Sequence, residues 1–208
     1  DSEEFDVFLE DLFCSEITGN TINLHYTLSH PENYGITEIP ITLGDLSEEA
    51  LLASAASLEN TKASLEKFPY SSLSGKQQLT YDLLEDYLDT QISVADLTYY
   101  DEILRPSTGV QAELPVLYEE YRFHSESDID DYLALIGLTG DYFDQIIAFE
   151  QKKADAGLFM SDFACNTIIS QCRDFAAKKD DHYLVETFNN KIDLMEGLSD
   201  EERDNYKL

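Results

Sequence analysis

Residues 129–155 constrain this chain more than any other stretch. At 100° of rotation per residue, their apolar side chains fall on two faces of one long helix. Ile129, Tyr132, Leu133, Ile136, Phe143 and Ile147 share the first, and Leu135, Leu138, Tyr142, Ile146 and Phe149 share the second. Asp130, Asp131, Asp141, Asp144, Gln151, Lys152 and Asp155 occupy the remaining sector. A surface helix needs one apolar stripe; two stripes predict a helix packed between two layers. Gly137 and Gly140 interrupt it, each at a cost of roughly 1 kcal/mol relative to Ala. The phase of both stripes carries across them, so the helix is expected to continue, with room for a bend. At ~1.5 Å per residue it would be about 40 Å long, enough to cross a domain.

The other helices announce themselves by spacing and by punctuation. Phe5, Phe8, Leu9, Leu12, Phe13 and Ile17 predict a helix over 3–17, with Ser2 as its N-cap and Gly19-Asn20 as its stop. Periodicity is lost over 21–45, where Pro31, Gly35, Pro40 and Gly44 predict an irregular connection; the alternation at 39–43 is read as loop. Ser47 caps a second helix reaching Phe68, with Leu51, Ala55, Leu58, Leu65 and Phe68 on its core side, and Pro69 ends it. Ser74 and Gln77 form a capping box for a third, which carries Leu83, Leu84, Tyr87, Leu88 and Val94 towards Leu104. After the long helix, Gly157 is a natural C′ residue, and further helices start near Ser161 and Asp181. Ser199 with Glu202 is a second capping box, and the chain ends at Leu208 two turns later. The expectation is an all-α fold, one helical domain over 1–208, with six or seven helices packed around the 129–155 helix. A helix capped and then cut implies that the native polypeptide continues. The start at Asp1, without Met or a signal segment, implies a removed leader or a trimmed chain.

Charge narrows the function classes. The 208 residues include 43 acidic and 13 basic ones, for a net charge of −30. Such a surface repels phosphate backbones, and no Lys/Arg run reverses that locally, which argues against nucleic acid and against anionic membrane surfaces. No run of 18 apolar residues exists to span a bilayer. With 43% hydrophobic and 12% aromatic residues the chain can bury a core. Cys165 and Cys172, seven apart on one helix, would have α-carbons roughly 10 Å apart, beyond disulfide reach. Sharing a face with Ile168, Ile169 and Phe175, they are expected to be buried free thiols; the redox compartment stays open.

No catalytic set assembles from the residues. His25, His30, His124 and His182 include no His-Glu-x-x-His and no pair at i, i+4. His124 and Glu126 offer two possible metal ligands without a third, and the acidic run Glu126, Asp128, Asp130, Asp131 lacks calcium-loop spacing. Negative charge at a helix start has a sufficient structural reason in the helix dipole. Gly-x-Ser-x-Gly, P-loop and Gly-x-Gly-x-x-Gly motifs are absent. No base adjoins Cys14, Cys165 or Cys172 to create a thiolate. Two aromatic-rich stretches remain where binding groups tend to sit: 23–28, with His25 and Tyr26, and 117–123, with Tyr121 and Arg122. Their tyrosines can equally pack against the core with hydroxyls outward.

One resemblance goes further. The order Gly109-Val110-Gln111, Leu114-Pro115, Tyr121, Asp128-Ile129-Asp130-Asp131-Tyr132-Leu133, Tyr142-Phe143-Asp144-Gln145 and Gly157 resembles the domain-of-unknown-function 885 family. Leu24-His25-Tyr26-Thr27-Leu28 with Pro31-Glu32-Asn33-Tyr34-Gly35-Ile36 looks like the version carried by secreted or lipid-anchored proteins of Firmicutes. Members of that family are longer, helix-rich and related in fold to gluzincin zinc peptidases, with a His-Glu-x-x-Pro-Gly-His motif in the C-terminal half. No residue here matches that motif, so no catalytic or metal role carries over; zinc is implied only for the missing C-terminal part. The resemblance implies a non-catalytic N-terminal helical region of an extracellular or lipid-anchored protein, forming part of a substrate cleft wall. Its partners would be the C-terminal half of the same polypeptide and a peptide substrate. His25, Tyr26, Tyr121 and Arg122 are the wall candidates, and Leu184 to Met195 with Leu198, Tyr206 and Leu208 would be laid bare by the missing half. The alternative is a self-sufficient acidic helical module that recruits a basic protein partner by charge steering.

Overall fold

In a computed structural model, residues 2–207 are described, the Asp180 side chain aside. Among them are nine α-helices, joined by short 3₁₀ turns, and no strand: α1 Ser2–Thr18, α2 Thr21–Thr27, α3 Glu48–Leu65, α4 Gly75–Ser93, α5 Val110–Glu120, α6 Glu126–Asp155, α7 Asp162–Ala176, α8 Tyr183–Leu194 and α9 Asp200–Tyr206. The all-α expectation holds. One of the helices, α2, lies in the 21–45 stretch expected to be irregular. At seven residues, α2 is too short to display a 3.6-residue repeat, and it is set by the Asn20 side chain accepting the Asn23 N–H at 3.0 Å. The third helix is shorter than the spacing suggested: α4 ends at Ser93, and a 3₁₀ turn takes over at Ala95–Tyr100.

Capping is where local sequence and structure agree most closely. Ser47 accepts the Ala50 N–H, and both capping boxes, Ser74 with Gln77 and Ser199 with Glu202, are fully formed. Gly157 takes φ +73° just after α6, a left-handed position that a side chain would strain. Ser2 is not a cap but the first residue of α1; its hydroxyl donates to Gln77 Oε1, and Gln77 Nε2 donates to the Ser2 carbonyl and to Asp6. One buried glutamine thus ties the first turn of α4 to that of α1.

The fold divides into two compact units, each described on its own. The first holds the chain up to Asp101 together with Asp141–Lys153. Its core is Phe5, Leu65, Leu73, Tyr81 and Leu88, flanked by Phe8, Leu58, Phe68 and Leu84, with Phe5 and Phe68 meeting edge to face at 5.2 Å. A smaller cluster joins Ile17, Leu24 and Ile36. The second unit holds Glu102–Gly140 and Ala154–Leu208. Within it α5 packs on α7 and α8, and α9 on α8. Its buried side chains include Leu114, Ile129, Leu135, Ile168, Phe188 and Ile192.

Helix α6 is continuous through Gly137 and Gly140, as its phase implied, and contributes residues to both units. Its second stripe is covered: Leu135, Ile146 and Phe149 are buried, and Leu138 and Tyr142 half-buried. The first is covered only in part. Ile129 and Tyr132 are buried, but Ile136 is 41% exposed and Ile147 64%. In the C-terminal half the covered face is Ile146, Phe149, Glu150 and Lys153, an i, i+3, i+4, i+7 set that leaves Ile147 about 100° away. Lys153 is fully buried and donates to the Asp101 carbonyl at 2.5 Å.

Other apolar expectations also need correction. On α4, Leu88 is buried but Leu83, Tyr87 and Val94 are 64%, 55% and 44% exposed, because the core-facing stripe runs through Tyr81, Leu84 and Leu88 instead. Cys165 and Cys172 are free but not buried as expected: Cys165 is half-buried and Cys172 exposed, as are Ile169 and Phe175 on the same face; Cys14 is half-buried. The last helix is tied down. Arg203 donates to the carbonyls of Ile192, Asp193 and Met195, and the Tyr206 hydroxyl to Glu126 and Asp130. Of the apolar surface expected near the end, Leu194 is 82% exposed; Leu208 lies outside the described residues.

Phe149→Asp would bury an unpaired charge and is expected to cost more than about 3 kcal/mol in chemical denaturation, whereas Ile147→Asp should stay within about 0.5 kcal/mol of the parent. Equal costs would contradict the face assigned to α6. A Cβ at Gly137 meets nothing within 4 Å, so Gly137→Ala should raise stability by about 1 kcal/mol. His182 begins α8 with its Nδ1 accepting the Leu184 N–H at 3.2 Å, which requires the neutral ring. Burial between Phe175 and Tyr183, and secondarily Lys178, hold its pKa below the usual imidazole value. The unfolded chain therefore protonates first as pH falls. Stability should be complete above the unfolded pKa of about 6.5 and decline below it as pH approaches the folded value. His182→Asn, which keeps a capping acceptor, should flatten that decline in melting curves between pH 7 and 5.

A candidate binding site at the end of α5

Helix α5 is placed by its first turn. Gly109 precedes it so closely against the Arg105 backbone that a Cβ would lie 2.1 Å from the Arg105 nitrogen, a contact only glycine avoids. Gln111 Nε2 donates to the Arg105 carbonyl and to Gln171 Oε1, while Gln171 Nε2 donates to the Pro106 carbonyl, fastening α5 to α7. At the other end Tyr118 is buried, its hydroxyl bonded to the Leu135 carbonyl at 3.0 Å and to Thr139 at 2.7 Å. Burial pushes that phenol up to about 12. It is held as a neutral packing group.

The carbonyls at the end of α5 are taken up by Lys191 of α8. Its ammonium donates to the carbonyls of Tyr118 and Glu119 and stands 5.6 Å from the centre of the Phe123 ring. Burial pulls its pKa below the ordinary lysine value, against a smaller opposite push from Glu119. Beneath it Phe123, Tyr132 and Phe188 pack at 5.4–5.7 Å, and Tyr121 lies 5.7 Å from Tyr132. A depression of about 300 Å³ opens over Tyr121 and Phe123, with Arg122, His124 and Lys191 contributing positive or protonatable groups and Glu120 one carboxylate. This lining offers charge and aromatic surface, which is binding chemistry.

Of the four residues singled out from sequence, this depression gathers two. Arg122 is exposed on it, and Tyr121, 1% exposed, forms part of its floor. His25 and Tyr26 belong to the other unit, on α2, half-buried and 44% exposed, their rings edge to face at 6.0 Å. Lys191 is the participant that sequence reasoning missed. It lies 72 residues from Glu119 along the chain, and no local pattern marks it. A second depression, of about 380 Å³, lies in the first unit between Leu51, Tyr99, Ala148 and Phe149, bordered by the Lys152–Glu48 ion pair. Its floor is apolar.

The acidic run that opens α6 has a structural task. Asp128 accepts the backbone N–H groups of His124 and Ser125 at 2.9 and 2.8 Å, and Glu126 and Asp130 receive Tyr206. Among the described residues no three His, Cys, Asp or Glu side chains are placed to hold a metal ion. No helix among the described residues is long and apolar enough to cross a membrane.

In a solved structure described as the "putative lipoprotein from Colwellia psychrerythraea", a region matches with a TM-score of 0.79 at 15% identity. The match covers 99% of this chain and 37% of that one, so this chain spans little more than a third of that relative's length. No curated protein is similar enough to match. Residues 33–207 fit the sequence pattern described as "Bacterial protein of unknown function (DUF885)", and the chain belongs to that family.

Proposed function

We propose that this chain is the non-catalytic helical region of a larger extracytoplasmic protein, where it forms part of the wall of a peptide-binding cleft. The observation that carries the reading is the coverage: the whole chain corresponds to 37% of a relative described as a lipoprotein. The apolar residues left outside the core support it. Leu79, Leu83 and Tyr87, four apart on α4, are 60%, 64% and 55% exposed, a ridge of the kind that usually meets another surface. In this reading the ridge packs against the rest of the polypeptide. Each unit supplies its own candidate wall groups: Arg122, exposed, with Tyr121 in the second, and Tyr26, exposed, with His25 in the first. Zinc and bond cleavage belong to the remaining part of the polypeptide.

The test compares the 208-residue chain with the longer polypeptide. The chain alone is expected to carry no stoichiometric zinc by elemental analysis and to hydrolyse no peptide, while the longer polypeptide carries zinc. Stoichiometric zinc with peptide hydrolysis by the chain alone would overturn the reading. Salt-sensitive capture of a basic protein by the chain, with no longer polypeptide in the native reading frame, would favour an independent acidic module instead.

A further inference from the structure

The depression at the end of α5 has a charge pattern at odds with the rest of the chain. Acidic residues outnumber basic ones 43 to 13 overall, yet this lining brings Arg122, Lys191 and His124 together against the single carboxylate of Glu120. Three lysines are paired with carboxylates, Lys62 with Asp89, Lys152 with Glu48 and Lys207 with Asp193, whereas Lys191, like Arg203 at the end of the chain, donates to backbone carbonyls, and it does so at the edge of an open depression. The two bonds of Lys191 go to neutral carbonyls, and an ammonium has three donors. A half-buried cation whose hydrogen bonds go only to neutral carbonyls, with the Glu119 carboxylate offsetting only part of the cost of burial, leaves room for an incoming anion. Arg122 is exposed at the same depression and is likewise not engaged by any carboxylate among the described residues.

The other half of the lining is apolar. Phe123 and Tyr121 form the floor, and Leu194, 82% exposed, stands with Met195 at the side. A leucine that open to water is poorly placed unless something apolar covers it. At about 300 Å³ the space is at the small end of ligand sites, about right for one amino-acid residue.

From this combination we infer that the depression is a binding site for a small carboxylate carrying an apolar side chain, of the type presented by the C-terminal residue of a peptide. The carboxylate lies between Arg122 and Lys191, and the side chain lies over Phe123 against Leu194 and Met195. This inference does not rest on the cleft-wall reading and needs no metal from elsewhere in the polypeptide.

Three probes separate the contributions: N-acetyl-leucine, its uncharged amide, and 4-methylpentanoate, which keeps the carboxylate and the branched chain but lacks the peptide-like amide. Each is titrated into the 208-residue chain and followed by NMR at the amides of 120–124 and 191–195. N-acetyl-leucine is expected to saturate with Kd on the order of millimolar, and its amide to bind at least about fivefold more weakly. Tighter binding of N-acetyl-leucine than of 4-methylpentanoate assigns the site to a peptide C-terminus; equal binding assigns it to free small carboxylates. Arg122→Gln, at an exposed position, should weaken N-acetyl-leucine about fivefold, and Glu120→Gln should tighten it. That opposition in sign is not expected of two merely structural residues. Equal affinity for acid and amide, absence of saturable shifts, or indifference to both substitutions would overturn the inference.

Discussion

Burial of one face of α6 is the constraint on which the other elements depend. A single 30-residue helix gives Ile129, Tyr132 and Leu135 to one unit and Ile146, Phe149 and Lys153 to the other, and within each unit those side chains follow its 3.6-residue repeat. Helices of this length rarely persist on propensity alone, and two interior glycines weaken this one further. Its stability is tertiary. In the second unit Tyr132 is the centre of the aromatic cluster, with Tyr118, Tyr121, Phe123 and Phe188 all within 5.8 Å of its ring. Two of its members, Tyr121 and Phe123, line the depression at the end of α5. Site and core are therefore one packing arrangement.

What was legible in the sequence follows from the range over which each signal acts. Caps are local, and Ser47, Ser74 with Gln77, and Ser199 with Glu202 sit where three-residue patterns placed them. The phase of α6 was legible because its 30 residues average over exceptions. Periodicity identifies apolar residues but not what covers them, which is why Leu83, Tyr87 and Ile147 are exposed despite fitting an apolar stripe. Burial of Glu150 and Lys153 had no sequence signal, since it depends on partners far along the chain, such as the Asp101 carbonyl. The candidate site divides in the same way. Tyr121 and Arg122 were visible as an aromatic–cation stretch, whereas Lys191 reaches them only through the packing of α8 on α5.

The residues that carry the family resemblance turn out to do mechanical work. Gly109 permits a close backbone approach, Gln111 fastens α5 to α7, Asp128 accepts two backbone N–H groups before α6, and Gly157 takes a left-handed turn after it. Leu114, Tyr121, Ile129 and Tyr132 are all buried. A family signature made of turns and core positions specifies a scaffold.

The central claim is that α6 is one unbroken element stabilised from both halves. Native-state hydrogen exchange along it tests this most directly. Slow exchange is expected from Tyr132 through Lys153, with the amides around Gly137 and Gly140 protected well above those of the connecting loops. Rapid, loop-like exchange at 136–141 between two protected segments would show two separate helices, and would contradict the account.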